Sequence, residues 1–302
     1  MKLALKVDVD TYRGTREGVP RLIDILKKHG ARATFLFSLG PDHTGRAITR
    51  VFRRGFLSKV SRTSVATHYG LKTLMYGTLL PGPDIGLTCR DILRRTRDEG
   101  FEVGIHTWDH VKWQDGVARA GAAWTEAQMR LAADRFAEVF GDAAAVHGAA
   151  GWQMNIHAFR LAQRLGFDYG SDTRGTQPFV PVIRAEPMAC PQLPTTLPTL
   201  DELLGVGEIT ADNVVGLLLK ASENPLPTGH VYTLHAELEG GKLAPVFESL
   251  LSGWKAMGYE LAAMADLYAT LQMPRLPRHE VVDGEVAGRS GTLSLQGKEF
   301  LA

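Results

Sequence analysis

The sequence predicts an α/β fold with parallel strands, and three observations carry that expectation. Strand-like and helix-like patterns alternate along most of the chain. The first strand, helix and second strand fit within residues 1–38, a span that suits a parallel pair joined by a right-handed crossover. Ionisable residues recur where strand segments end, the edge at which parallel α/β folds build their sites.

The first strand runs from Met1 to Asp10. Leu3, Leu5 and Val7 alternate with Ala4 and Lys6, and the run closes on Asp8-Val9-Asp10. Side chains two positions apart share one face of an extended strand, roughly 6–7 Å apart, so the two carboxylates point the same way. They repel unless a cation or a proton separates them. A metal ion on one, with the other acting as a base, resolves the repulsion; two solvated loop aspartates or a helix cap is the plainer reading.

Thr11 to Pro20 reads as a polar, glycine-bearing loop. Leu22, Ile23, Ile25 and Leu26 then take helical spacing as far as His29, and Gly30 supplies the stop. Further strands are expected at 33–38, 101–106, 145–150, 166–172, near 192–193, at 230–235 and at 259–262. Helices are expected at 84–99, 125–140, 155–165, 211–221, 244–257 and 264–271. Residues 1–272 thus form one domain, with the proline-rich 176–200 as a surface loop. Residues 273–302, without clear periodicity, are read as an arm or tail.

Residues 41–85 interrupt the alternation as a basic insertion. Within 41–75, Arg46, Arg50, Arg53, Arg54, Lys59, Arg62 and Lys72 face a single acid, Asp42, a local charge of seven minus one, +6. Ile48, Val51, Phe52, Phe56 and Val60 recur at helical spacing, which predicts a basic amphipathic helix. It either packs on the barrel with a solvated face or docks on an anionic membrane or a phosphate-bearing lipid.

Composition narrows the partners. With 302 residues and 44% hydrophobic content the chain has ample material for a core, and a net charge of +1 makes no case for nucleic acid. Cys89 and Cys190 lie far apart without metal-ligand spacing, which argues against a disulfide framework and for a reducing compartment. Neither a signal peptide nor a run of about 18 apolar residues is visible, so the expectation is a cytosolic protein or one peripheral on a cytosolic membrane face.

The third strand ends in His106-Thr-Trp-Asp-His110, and histidines four apart meet on one face of a helical turn, where imidazoles commonly bind zinc or a related divalent ion. With Asp10 they make a two-histidine, one-carboxylate face with open positions, which points to catalysis. His235-Ala-Glu237 ends the late strand in the same way. Trp152 is either a packed aromatic or a substrate wall.

Together, Asp8-Val-Asp10-Thr11, His106-x-x-x-His110 and Leu234-His235 resemble the polysaccharide deacetylase family, whose fold is a distorted or incomplete (β/α) barrel. Within it, Val7–Pro20, Gly104–His110, Ala149–Trp152, Ser171–Gly175 and Thr233–Gly240 are most similar to bacterial members that deformylate undecaprenyl-phosphate-linked 4-deoxy-4-formamido-L-arabinose. The resemblance implies that Asp10, His106 and His110 bind one divalent metal ion, zinc or alternatively manganese, cobalt or nickel. It further implies that Asp8 is the general base and His235 the general acid. Formate and a lipid-linked amino sugar would be the products, the latter serving lipid A modification and resistance to cationic peptides such as polymyxin. The implied setting is the cytoplasmic face of the inner membrane, reached through 41–75.

Two departures qualify the carry-over. Many relatives have adjacent aspartates where Val9 intervenes here, so the roles of Asp8 and Asp10 could be exchanged. The family's third motif usually contributes an arginine beside the catalytic aspartate, and His147–Trp152 has none; Arg13, Arg16 or Arg174 is expected to take that place or to bind the substrate phosphate. Glu237 and Asp172 either orient His235 or cap loops. Two other functions compete: a deacetylase of N-acetylated polysaccharide or peptidoglycan sugars, and a non-catalytic membrane-binding protein.

Overall fold

The computed structural model describes residues 1–47, 72–289 and 291–301. In chain order its first strands are β1 (Lys2–Val9), β2 (Thr34–Ser38), β3 (Glu102–Thr107), β4 (Val146–His147) and β5 (Tyr169–Gly170). There follow β6 (Val180–Ile183), β7 (Glu186–Pro187), β8 (His230–His235), β9 (Glu260–Ala262), β10 (Arg278–Gly284) and β11 (Leu293–Glu299). The main sheet has seven strands in the order β5-β4-β3-β2-β1-β8, all parallel, with β9 joined to the first residues of β1. Because the strands are parallel, Asp8, His106, His147 and His235 all reach the same edge of the sheet. This curled, open sheet flanked by helices is the incomplete (β/α) barrel expected above.

The core follows from hydrophobic periodicity. The helix Val19–His29 buries Val19, Leu22, Ile23, Ile25 and Leu26, each side chain contributing roughly 1.5–3 kcal/mol. It stops at Gly30, whose φ of 59° places it in the left-handed region. Phe35 and Phe37 of β2 meet these side chains, and Phe247 and Trp254 of the helix Ala244–Ala256 close the core beside β8. Residues 84–99 fold as two helices, Ile85–Thr88 and Arg90–Asp98, with the break at Cys89.

Three expectations change. Thr11–Pro20 is mostly helical rather than a loop: a π-helical turn over Gly14–Gly18 runs directly into the helix Val19–His29. The cause is close approach to the loop after β8, since a Cβ on Gly14 would lie 1.9 Å from Glu237 Oε1 and one on Gly18 would lie 2.1 Å from the Ala236 carbonyl oxygen. Only glycines let the turn pack there, and their low helix propensity hid it.

The 273–302 segment is not a structureless tail. β10 and β11 form an antiparallel hairpin, and β10 pairs in parallel with β6 in a second sheet ordered β11-β10-β6-β7. Neither hairpin strand is cleanly buried on one face, so the two-residue alternation that marks a strand is weak. The strand expected near 192–193 is reduced to isolated bridges at Gln192, with regular strands at β6 and β7 instead, where Pro181 and Pro187 obscured them. The basic amphipathic helix expected around 48–60 lies outside the described residues.

Candidate metal centre and active site

Lys6, Asp8 and Asp10 occupy alternate positions running out of the end of β1, and all three are buried. Asp10 meets two imidazoles there. Its Oδ1 lies 3.2 Å from His106 Nε2 and its Oδ2 lies 3.4 Å from His110 Nε2. The ligand-type atoms of the three residues fall within 4.8 Å of one another. His106 comes from β3, and His110 opens the helix His110–Gly116. Asp109 fixes that helix start: its side chain accepts from Lys112 N at 3.0 Å and pairs with His43 Nδ1 at 2.6 Å.

Several features suit this cluster to a cation. His106 Nδ1 donates to the Gly148 carbonyl oxygen at 2.6 Å, which leaves the Nε2 lone pair pointing at Asp10. Asp10 Oδ1 is buried without a hydrogen-bond partner among the described residues. Burial opposes the charge on Asp10, but His110, His106 and His235 outweigh it and hold the carboxyl far below its ordinary range. Burial likewise opposes charging of His106, and Asp8 with Asp10 reverses that and raises its pKa. A two-nitrogen, one-carboxylate donor set of this kind fits a divalent transition ion.

Asp8 is held differently. Its Oδ2 lies 3.3 Å from the Lys6 ammonium, and its Oδ1 lies 3.7 Å from His106 Nδ1 with no hydrogen-bond partner among the described residues. Lys6 is fully buried, donates to the Ser171 carbonyl oxygen at 3.1 Å and sits 5.0 Å from the centroid of Trp152. Burial lowers the Lys6 pKa, against the opposing pull of Asp8 and Asp172. Lys6 therefore occupies the place beside Asp8 for which an arginine was sought. Arg13 instead pairs with Glu17 at 2.8 Å, Arg16 bonds the Tyr12 hydroxyl at 2.7 Å, and Arg174 bonds Glu202 and the Leu197 carbonyl oxygen. Sequence reasoning overlooked Lys6, although its parity with Asp8 and Asp10 was legible.

The opposite wall of the site is β8. Asp8 is in register with His235 across the β1–β8 pair. His235 Nδ1 faces Asp201 Oδ1 at 3.8 Å, and its backbone N–H donates to Glu239 Oε2 at 3.0 Å. Burial pushes the Glu239 carboxyl up to about 7, with His235 pulling the other way. Glu237 does not orient His235. Its Oε1 accepts from Asp10 N, Thr11 N and Thr11 Oγ1 at 3.1, 2.9 and 2.8 Å, so it shapes the backbone that carries Asp10. Burial, then the charge of Asp10, raises the Glu237 carboxyl well above its usual value. Asp172 bonds His147 Nδ1 at 2.7 Å and Ala149 N at 2.8 Å, away from His235.

Trp152 is 1% exposed and bonds Thr195 Oγ1 through Nε1 at 3.1 Å, which makes it a buried platform rather than a substrate wall. Lys6, Arg174 and Arg289 lie over its ring at 5.0, 5.1 and 4.6 Å. Asp201 and Arg289 carried no motif in the sequence and enter the site only through folding. Beside Glu237, a cleft of about 250 Å³ opens between the first helical turns and the loop after β8, with Arg13, Arg21 and Lys242 among its lining.

The sheet, the cluster at its carboxyl edge and the sequence converge on one class: residues 3–170 match the polysaccharide deacetylase family model, and the chain belongs to that family of hydrolases, which act on amide C–N bonds. Its similarity narrows further among curated relatives. The Shewanella sediminis (strain HAW-EB3) protein named "Probable 4-deoxy-4-formamido-L-arabinose-phosphoundecaprenol deformylase ArnD" is 38% identical over 98% of this chain and 94% of its own length. A protein of the same name from Wigglesworthia glossinidia brevipalpis is 30% identical over 94% of this chain and 99% of its own. The fold also matches a crystal structure of a polysaccharide deacetylase candidate from Mycobacterium smegmatis, with a TM-score of 0.64 at 17% identity over 94% of each chain.

Proposed function

We propose that this chain hydrolyses the N-formyl group of undecaprenyl-phosphate-linked 4-deoxy-4-formamido-L-arabinose. The observation that carries the chemistry is the buried Asp10 carboxylate faced by two imidazole Nε2 atoms, with Asp8 and His235 in register beside it. The near-full-length likeness to relatives named as deformylases supports the substrate. Asp10, His106 and His110 hold one divalent ion, zinc or alternatively manganese, cobalt or nickel, which when bound polarises an amide carbonyl.

The chain's own residues divide the proton work. Asp8 accepts a proton from the attacking water as the water oxygen bonds to the formyl carbon. The Lys6 ammonium stabilises and orients the Asp8 carboxylate for that role. His235, whose Nδ1 faces the Asp201 carboxylate at 3.8 Å, donates a proton to the sugar nitrogen as the C–N bond breaks. Formate and the 4-amino sugar lipid leave, with the atoms of one water distributed between them. The amine would serve lipid A modification and resistance to cationic peptides, because its positive charge offsets lipid phosphate.

The substrate's phosphate would find cations in the cleft beside Glu237, where Arg13, Arg21 and Lys242 gather. The +6 charge of 41–75 supports attachment to an anionic membrane, on the cytoplasmic face of the inner membrane, where a lipid carrier is presented. Among the described residues no helix is long and apolar enough to cross a membrane.

The test is formate release from the formamido-arabinose phospholipid by metal-stripped protein resupplied with each candidate ion. Metal-restored release that is lost in Asp8→Ala and His235→Ala is the expected result. Acetate from N-acetylated sugars with no formate would overturn the substrate assignment in favour of a deacetylase, and silence on both would favour a non-catalytic protein.

A further inference from the structure

The C-terminal hairpin reaches the active site through one side chain. Arg289, in the connection between β10 and β11, donates from Nη2 to Asp201 Oδ1 and to Thr199 Oγ1, both at 3.0 Å, and from Nε to Glu202 Oε1 at 2.9 Å. Its guanidinium lies 4.6 Å from the centroid of Trp152. Asp201 Oδ1 is also the atom that faces His235 Nδ1, at 3.8 Å, beyond direct hydrogen-bond reach, and that Nδ1 is buried without a hydrogen-bond partner among the described residues. One carboxylate oxygen therefore stands between the hairpin and the imidazole of β8.

The approach is built rather than incidental. Gly288 has a φ of +84°, and a Cβ there would lie 2.3 Å from the Glu202 carbonyl oxygen, so the connection lies flat against the Asp201–Glu202 backbone only because residue 288 is glycine. β11 secures the same region from the other side. Arg174 N donates to the Ser294 carbonyl oxygen at 3.0 Å, and Gln296 N donates to the Arg174 carbonyl oxygen at 2.8 Å. A guanidinium largely withdrawn from water is costly unless paired, and here Asp201 and Glu202 pair it while Arg174 gives Glu202 a second partner.

We infer that Arg289 is a positioning residue for hydrolysis: it fixes Asp201 so that its Oδ1 faces His235 Nδ1, and the carboxylate charge favours the imidazole orientation from which His235 protonates the leaving nitrogen. The planar fork of arginine sets a direction for the carboxylate that the point charge of lysine does not. The hairpin is then part of the active site. This inference rests on the role given to His235 above.

The test uses full-length, metal-loaded protein and follows formate release in Arg289→Gln, Arg289→Lys and Gly288→Ala, each alone and in an Asp201→Asn background. A general acid contributes about 100- to 10,000-fold, and its misorientation should lower kcat at least about tenfold in Arg289→Gln, with Arg289→Lys recovering part of it. A KM within about twofold of the wild type and an unchanged metal content separate this from lost binding. With Asp201 already replaced, the same changes should cost no more than about twofold further. Gly288→Ala should reproduce the pattern with the arginine still present.

An unchanged kcat in Arg289→Gln, or the same fall with and without the Asp201 carboxylate, would overturn the inference. Should Arg289→Gln fail to fold, Arg289→Lys and Gly288→Ala in the two backgrounds decide it by the same criterion. Full activity in His235→Ala would sink the role of His235, and this inference with it, without any change at Arg289.

Discussion

The candidate ligand corner at the ends of β1 and β3 and the wall formed by β8 differ in how far along the chain their parts come from. Asp8 and Asp10 are two residues apart at the end of one strand, and His106 and His110 share one strand end and the helix that follows. Across the site, His235 faces Asp201, Asp201 pairs with Arg289, and Arg289 lies over Trp152, residues from four distant segments. A metal cluster can be specified by local spacing because the sheet aligns strand ends automatically. A proton donor needs a directed neighbour, and the groups around His235 come from loops that only tertiary packing brings into place.

The largest break in this comparison comes from removing a ligand. His106→Ala or Asp10→Ala should abolish stoichiometric metal binding and lower formate release by about 1,000-fold or more, read by metal analysis beside the assay. If instead the ion stays bound at full stoichiometry, the ligand corner has been misread. Asp8→Asn and His235→Ala should keep the metal but lose about 100- to 10,000-fold in turnover. Loss of the ion in Asp8→Asn would exchange the roles of the two aspartates.

Lys6 sharpens the comparison next. Lys6→Met should lower kcat by roughly 10- to 100-fold, from losing a charge-assisted contact to Asp8, while Lys6→Arg should retain most of it; equal losses in both would remove Lys6 from the mechanism. A smaller effect is expected at Gly18, where an added Cβ would meet the Ala236 carbonyl oxygen at 2.1 Å. Gly18→Ala should destabilise the fold by roughly 1–3 kcal/mol in urea unfolding.

Glu239 provides a pH-dependent contrast on the β8 wall. Its folded carboxyl titrates at about 7, above the ordinary 4.5. A raised folded value means that this group's stabilisation is complete below about pH 4.5 and is lost as pH rises through about 7. Relative to Glu239→Gln, the wild type should therefore lose on the order of 2 kcal/mol between pH 4.5 and pH 8. A stability difference that stays flat across that range would show that the carboxyl is not held protonated.

Much of the molecule was legible before folding. The helix 19–29 and the strands at 34–38, 102–107 and 230–235 were marked by periodicities of 3.6 and 2 together with a glycine stop. Lys6 was visible in the same pattern and was overlooked, because a lysine on a buried strand face is ordinarily read as a solvent-facing position. The first helical turns and the hairpin were misread for physical reasons. Gly14 and Gly18 lower local helix propensity in exchange for contact with the β8 loop, and β10 and β11 are half exposed on both faces.

By itself, then, the sequence determined the α/β alternation, the strand ends that carry Asp8, Asp10, His106, His110 and His235, and the donor types suited to a divalent ion. These depend on neighbours within a few residues, where backbone geometry dictates which side chains share a face. Tertiary structure alone decided that Lys6 partners Asp8, that Glu237 serves the Asp10 backbone, that Trp152 is a buried platform, and that Arg289 comes back from the C-terminal hairpin to Asp201. Buried charges take whichever partner packing brings within a few ångströms, and separation along the chain does not encode that choice.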